Sequence, residues 1–243
     1  MNEETTMFTY CNKVIIICIV VLVGIVVLAA GCGQDRRAAE NNSLSLTGSG
    51  NIIAREVALT GFDRLEAGLT FDLLIRQGEA HRVRIFADDN FIDFIQVEQT
   101  GTTLTFGLKP GYAYDIAGMT MRAEVTMPVL TGLQLDSSSH AQLDGFVNQE
   151  QLEAKLTGAS FLNGQLEGDG VYLKVDGSAA VVLAGSAQKL GVDACGSAQV
   201  DVGDFSAESL TLDAGCASRV KVDEASGWDG RISQNAQLLT AGQ

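Results

Sequence analysis

Four aspartates, Asp136, Asp176, Asp193 and Asp213, recur at one position of a pattern repeated in the second half of the chain. The segments that carry it are LQLDSSSHAQLDG from Leu133, LEAKLTGASFLNG from Leu152, LKVDGSAAVVLAG from Leu173, LGVDACGSAQVDV from Leu190 and LTLDAGCASRVKV from Leu210. Lys155 takes the aspartate position of the second. Stacked segments would turn that position into a row of carboxylates, which repel unless they are solvated or share a cation. Asp176, Asp193 and Asp213 fall in consecutive segments and are therefore a candidate weak cation ladder or contact surface. The plainer expectation is a solvated row in which each carboxylate accepts a hydrogen bond from a turn amide. The chain has no DxDxDG or GGxGxD loop, so no metal centre is assigned.

Carboxylates on stacked strands also suggest glycoside cleavage, which takes two carboxyl groups about 5–9 Å apart, one of them desolvated enough to stay protonated. Sugar-stacking aromatics are scarce, Trp228 being the one tryptophan, and Arg219 is the one arginine among the repeats. The chain is therefore read as a non-enzyme with no catalytic residue, and a polysaccharide lyase or glycosidase is its rival. Ser137-Ser138-Ser139-His140 does not make a nucleophile and base, because neighbours on a strand face opposite ways and no GxSxG turn is present. With His81 and His140 the only histidines and no CxxC pair, neither zinc nor haem is expected, and no cofactor is assigned. Cys195 and Cys216 stand at the sixth and seventh positions of successive segments, close enough for a candidate disulfide. Their one-position offset leaves two small buried thiols as the other reading.

The remaining cysteines belong to the N-terminus. Residues 14–30 form an uncharged apolar run flanked by Lys13, and Leu28-Ala29-Ala30-Gly31-Cys32 follows. That order is an export signal, and the LAAGC run resembles a bacterial lipobox whose cysteine is acylated. Residues 1–31 are read as the signal, with Met1 or Met7 as the start, and residues 32–48 as a lipidated tether that partners the membrane through Cys32. An uncleaved anchor is the alternative, since a span needs about 17–25 residues. Either reading places the rest of the chain in the cell envelope, outside the cytoplasmic membrane. Gly33 favours the outer membrane where the cell has one. Export permits the disulfide. The net charge of −14 over 243 residues and a pI near 4.4 exclude the basic face that nucleic acid requires. An envelope glycan or a protein partner remains, as does self-association through a solenoid edge.

These residues have to be positioned by strands. Residues 82–86, 102–108 and 121–127 alternate polar and apolar side chains, the period of half-buried strands. Only 88–95 has helical spacing, enough for a single turn. Segment starts differ by 19, 21, 17 and 20 residues, and a unit that short cannot bury its own Leu and Val. Stacking at about 4.8 Å per coil can. No six-residue period and no i, i+3, i+4, i+7 pattern is present. The expected fold is all-β, a right-handed parallel β-helix over residues 49–243 with a strand-rich N-terminal region, its open end capped by residues 227–243.

The stretches GSGNIIAREVALTGFDRLEAG (48–68) and DDNFIDFIQVEQTGTTLTFGLKPG (88–111), followed by the aspartate-bearing coils, resemble the auto-transporter adhesin head GIN domain family. The resemblance spans about residues 48–225 and implies an envelope β-helix with an adhesive or scaffolding surface. It carries over no catalytic residues. Lys155, and the alanines and cysteines that replace Gly-Ser corners, depart from its pattern.

Overall fold

The computed structural model describes residues 43–44, 47–223 and 227–240. The expected signal (residues 1–31), Cys32 and most of the expected tether lie outside them. Strands β1 (Ser43–Leu44), β2 (Ile52–Val57), β3 (Arg64–Ala67), β4 (Asp72–Gln77) and β5 (Arg82–Asp88) open the chain. After one 3-10 turn, Ile92–Phe94, come β6 (Ile95–Thr100), β7 (Thr103–Leu108), β8 (Ala113–Tyr114) and β9 (Met121–Met127). The repeat region holds β10 (Gly132–Leu135), β11 (His140–Leu156), β12 (Phe161–Val175), β13 (Ala180–Ala194) and β14 (Gln199–Ala214). It ends with β15 (Arg219–Val222), β16 (Trp228–Ile232) and β17 (Gln237–Thr240). Among the described residues no helix is long and apolar enough to cross a membrane.

Alternation in the sequence becomes alternation in burial. In β9, Met121, Ala123, Val125 and Met127 are buried while the residues between them reach the surface. The same period builds the all-β solenoid expected above. β11, β12, β13 and β14 stack in parallel, each bending midway and closing one coil on the next. One flank starts at β3 and β10 and ends at β16; the other starts at β4 and ends at β15 and β17. Inside, Leu135, Leu156, Val175, Ala194, Ala214 and Ile232 form one column. Ala141, Leu162, Val181, Val200, Val220 and Leu238 form another. Each fully buried Leu or Val contributes about 1.5–3 kcal/mol, which is available only because a neighbouring coil covers it.

The corner between the flanks has its own requirement. Gly158, Gly177 and Gly196 occupy one column at φ between +71° and +75°, where a Cβ is disfavoured. Room is also lacking, since a Cβ on Gly177 would lie 2.9 Å from the Gly158 carbonyl oxygen. The amide after each corner glycine donates to the corner carbonyl of the preceding coil, as in Ser178 N to Gly158 O at 2.7 Å. The next residue points inward. Ser139, Ser160 and Ser218 are buried there, and each hydroxyl donates to a carbonyl of its own corner.

The two ends of the stack differ. At the N-terminal end β2, β5 and β9 pair antiparallel, as do β6 and β7, and they bury Phe62, Phe71, Phe91 and Phe106. Asp88, 2% exposed, clasps this region by accepting the Thr120 amide at 3.0 Å and the Gly50 amide at 2.8 Å. Those two bonds, led by Thr120, hold its carboxyl below the ordinary range. Its neighbour Asp89 accepts from Ser49 Oγ and Asn51 Nδ2, with the same direction of shift. At the C-terminal end the tail does not form the expected cap. β16 and β17 continue the parallel stack as one more layer.

Candidate functional site

Strand pairing sets which side chains share a face, and it separates the four aspartates. Leu133 lies opposite Ala154, not Leu152, and Leu173 lies opposite Val192, not Leu190. The row outside β10 to β16 is therefore Gln134, Lys155, Lys174, Asp193, Asp213 and Arg231. Asp136 and Asp176 belong to the corner, where the stacking amides run Asp136, Thr157, Asp176, Cys195, Gly215 and Ser233. The single carboxylate ladder expected from the sequence is thus corrected to two columns with two aspartates each. The physical reason is that a slip of two residues leaves every side chain on its original face, so alternation alone cannot detect it.

Both aspartates of the outer row are ion-paired. Lys174 Nζ lies 3.6 Å from Asp193, and Arg231 lies 3.2 Å from Asp213. The corner aspartates make local bonds instead: Asp176 accepts the Gly177 amide at 2.6 Å, and Asp136 accepts the Ser137 hydroxyl at 2.8 Å. No cluster of three or more His, Cys, Asp or Glu side chains suited to a metal ion occurs among the described residues. His140 is exposed and faces Asp72 at 3.0 Å, while Ser139 is buried and bonded within the corner. Cys195 and Cys216 are joined by a disulfide with Cα atoms 5.1 Å apart. Cys195 stands opposite Gly215 and Cys216 opposite Gly196, so the bridge runs diagonally between adjacent coils.

The same face carries a feature that the sequence reading misses. Across the strands, Glu153, Tyr172, Gly191 and Thr211 form the row beside the charged one. Tyr172 is 41% exposed, and its ring lies down on two glycines. A Cβ on Gly191 would meet Cδ1 at 2.9 Å, and one on Gly170 would meet Cε2 at 3.2 Å. The ring is thereby supported from below by bare backbone. A shallow depression of about 400 Å³ surrounds it, lined also by Glu153, Lys174, Lys189, Asp193, Thr211 and Asp213. Glu153 is held in place by Arg64, 3.2 Å away, which crosses the side-chain-free Gly132 to reach it.

An apolar ring bordered by ammonium, carboxylate and hydroxyl groups matches a saccharide, which has an apolar C–H face and a rim of hydroxyls. The bordering carboxylates are exposed or ion-paired. Their oxygens can accept hydrogen bonds from such hydroxyls.

Several solved structures share this fold. A putative adhesin from Bacteroides fragilis NCTC 9343 superposes with a TM-score of 0.68 at 17% identity, covering 80% of this chain and 95% of that one. A putative adhesin from Parabacteroides merdae ATCC 43184 gives 0.60 at 12% identity, covering 81% and 99%. A putative lipid binding protein from Parabacteroides distasonis ATCC 8503 gives 0.53 at 14% identity, covering 82% and 98%. No curated protein matches the chain. Residues 61–243 match the family model described as "Putative auto-transporter adhesin, head GIN domain", and the chain belongs to that family.

Proposed function

We propose that this chain is a lipid-anchored envelope protein that binds polysaccharide through the face around Tyr172. The observation that carries the reading is the seating of that ring on Gly170 and Gly191 amid charged and hydroxyl side chains. A strand side chain normally stands off the sheet. Here two glycines let an aromatic lie flat, at a site where the core gains nothing from it. The family's description as adhesins and the export pattern ending at Cys32 agree with an exposed binding role.

The test presents the full chain in detergent micelles to a panel of neutral and charged polysaccharides, scoring both retained polymer and released oligosaccharide. Retention that falls by up to about tenfold in Tyr172→Ala and persists in Tyr172→Phe is the expected result, since ring stacking contributes about 0.5–1.5 kcal/mol. Retention unaffected by Tyr172→Ala would move the site elsewhere, and released product would make the protein an enzyme. The anchor is tested separately: labelled palmitate should enter the wild-type chain and not Cys32→Ser.

A further inference from the structure

Among the described residues, the coil formed by β16 and β17 is an uncovered layer. Trp228 continues the inward column of Leu152, Val171, Leu190 and Leu210, yet it is 42% exposed where Leu210 is 3% exposed. Ile232 and Leu238 continue two further inward columns and are only half-buried. Among the described residues β16 pairs with β14 alone and β17 with β15 alone, so one edge of each strand has no strand partner there. The N-terminal end, by contrast, is closed by antiparallel strands over four buried phenylalanines. A stacked fold needs its terminal layer covered, and an apolar layer with free strand edges templates further pairing.

We propose that the C-terminal end is the interface of a two-fold dimer in which β16 pairs antiparallel with β16 of a second copy, centred on Gly230. A two-fold axis across the end of a solenoid sets each terminal strand antiparallel to itself. With Gly230 at the centre, Asp229 lies opposite Arg231 of the second copy, and Arg231 opposite its Asp229. Among the described residues the Asp229 side chain has no hydrogen bond or ion pair, and the side chain of Arg231, 86% exposed, bonds only to Asp213. On the inward side the same register sets Trp228 opposite Ile232 of the second copy, a large side chain against a smaller one across a glycine. Moving the centre by one residue would place Asp229 against Asp229 or Arg231 against Arg231. The strand is thus self-complementary in charge and in shape at one register. The proposal is independent of the polysaccharide reading, because the Tyr172 face and the solenoid end are different surfaces.

Charge reversal tests it on the full chain in detergent micelles, with protein mass read by light scattering after subtraction of bound detergent. The wild type is expected as a dimer. Asp229→Arg and Arg231→Asp are each expected to dimerise at least about tenfold more weakly, since each sets like charges opposite one another. Mixing the two variants in equal amounts should restore the wild-type mass, because each now complements the other, and the double exchange D229R/R231D should dimerise by itself. Unchanged circular dichroism in both single variants separates this result from unfolding. A monomeric wild type, single variants that remain dimeric, a mixture that stays monomeric, or a mass above that of a dimer would each overturn the interface.

Discussion

The ring of Tyr172 occupies the space that a side chain on Gly191 would need, with only 2.9 Å between Cδ1 and a Cβ built there. The two residues are opposite each other on β12 and β13, so the glycine positions the aromatic across the strand boundary. A Gly191→Val substitution should therefore have effects of opposite sign. Valine suits a strand and glycine costs about 0.5–1 kcal/mol in one, so thermal stability should hold or rise. The ring, lifted from its seat, should retain polysaccharide about tenfold less well. Paired melting and retention measurements on the same variant check both signs.

That relationship also shows where the sequence stops being informative. Alternation and the recurring Leu and Val were enough to give the all-β solenoid, because which face a residue occupies depends only on its parity. Register depends on more. Aligning on the leading leucines sets Tyr172 beside Lys189, whereas the strands pair it with Gly191. The leucine alignment likewise sets Asp176 in a row with Asp193, whereas Asp193 stands beside Lys174. The residues that do fix register are Gly158, Gly177 and Gly196, whose positive φ and backbone contact tolerate nothing larger. Aligned on those three, the segments bring Gly191 beside Tyr172 and separate the aspartates correctly. The Asp88 clasp has no periodic signature at all, since its partners Gly50 and Thr120 come from distant loops.

Asp88 should make the N-terminal end sensitive to acid. Its carboxyl is held below the ordinary value of 3.8 by the Thr120 and Gly50 amides. A carboxyl depressed in the folded state contributes stability that is fully present above its unfolded value and lost as pH falls through the folded one. Asp88→Ala should cost about 2–3 kcal/mol at neutral pH, the scale of charge-assisted hydrogen bonds left unmade. The gap between variant and wild type should narrow progressively below about pH 3.8. Urea unfolding at pH 7 and at a series of points below pH 4 measures it; a gap independent of pH would assign the stabilisation to packing.

The Cys195–Cys216 bridge joins adjacent coils across a sequence separation of 21 residues. Closing a loop of that size in the unfolded chain is worth about 3 kcal/mol in the chain-entropy model. Its removal should be felt locally, because a solenoid's stability is largely a sum of neighbouring contacts. In C195S/C216S, amide exchange should accelerate in β14 to β17 while β4, β5 and β9 keep their protection. Uniform acceleration across all strands would mean instead that the coils unfold as one cooperative unit.

The corner column offers substitutions of very different expected cost at equivalent positions. Gly177 has φ +75°, and its missing side chain faces the Gly158 carbonyl, a backbone atom that cannot swing aside. Gly177→Ala should therefore combine about 1–2 kcal/mol of left-handed backbone strain with displacement of the coil beneath it, for a total loss of roughly 2–3 kcal/mol. Ser137 holds the same place in the first coil at φ +59° and already carries a Cβ. There the strain is part of the wild-type state, and Ser137→Gly relieves it. Relief is offset by the greater entropy of an unfolded glycine, about 0.4–1 kcal/mol, and by loss of the hydroxyl bond to Asp136. The net change at Ser137 should stay within about 1 kcal/mol of zero, so denaturant unfolding of the two variants should separate them clearly. A loss at Ser137 as large as that at Gly177 would mean that the Ser137 hydroxyl bond outweighs the backbone strain its removal relieves.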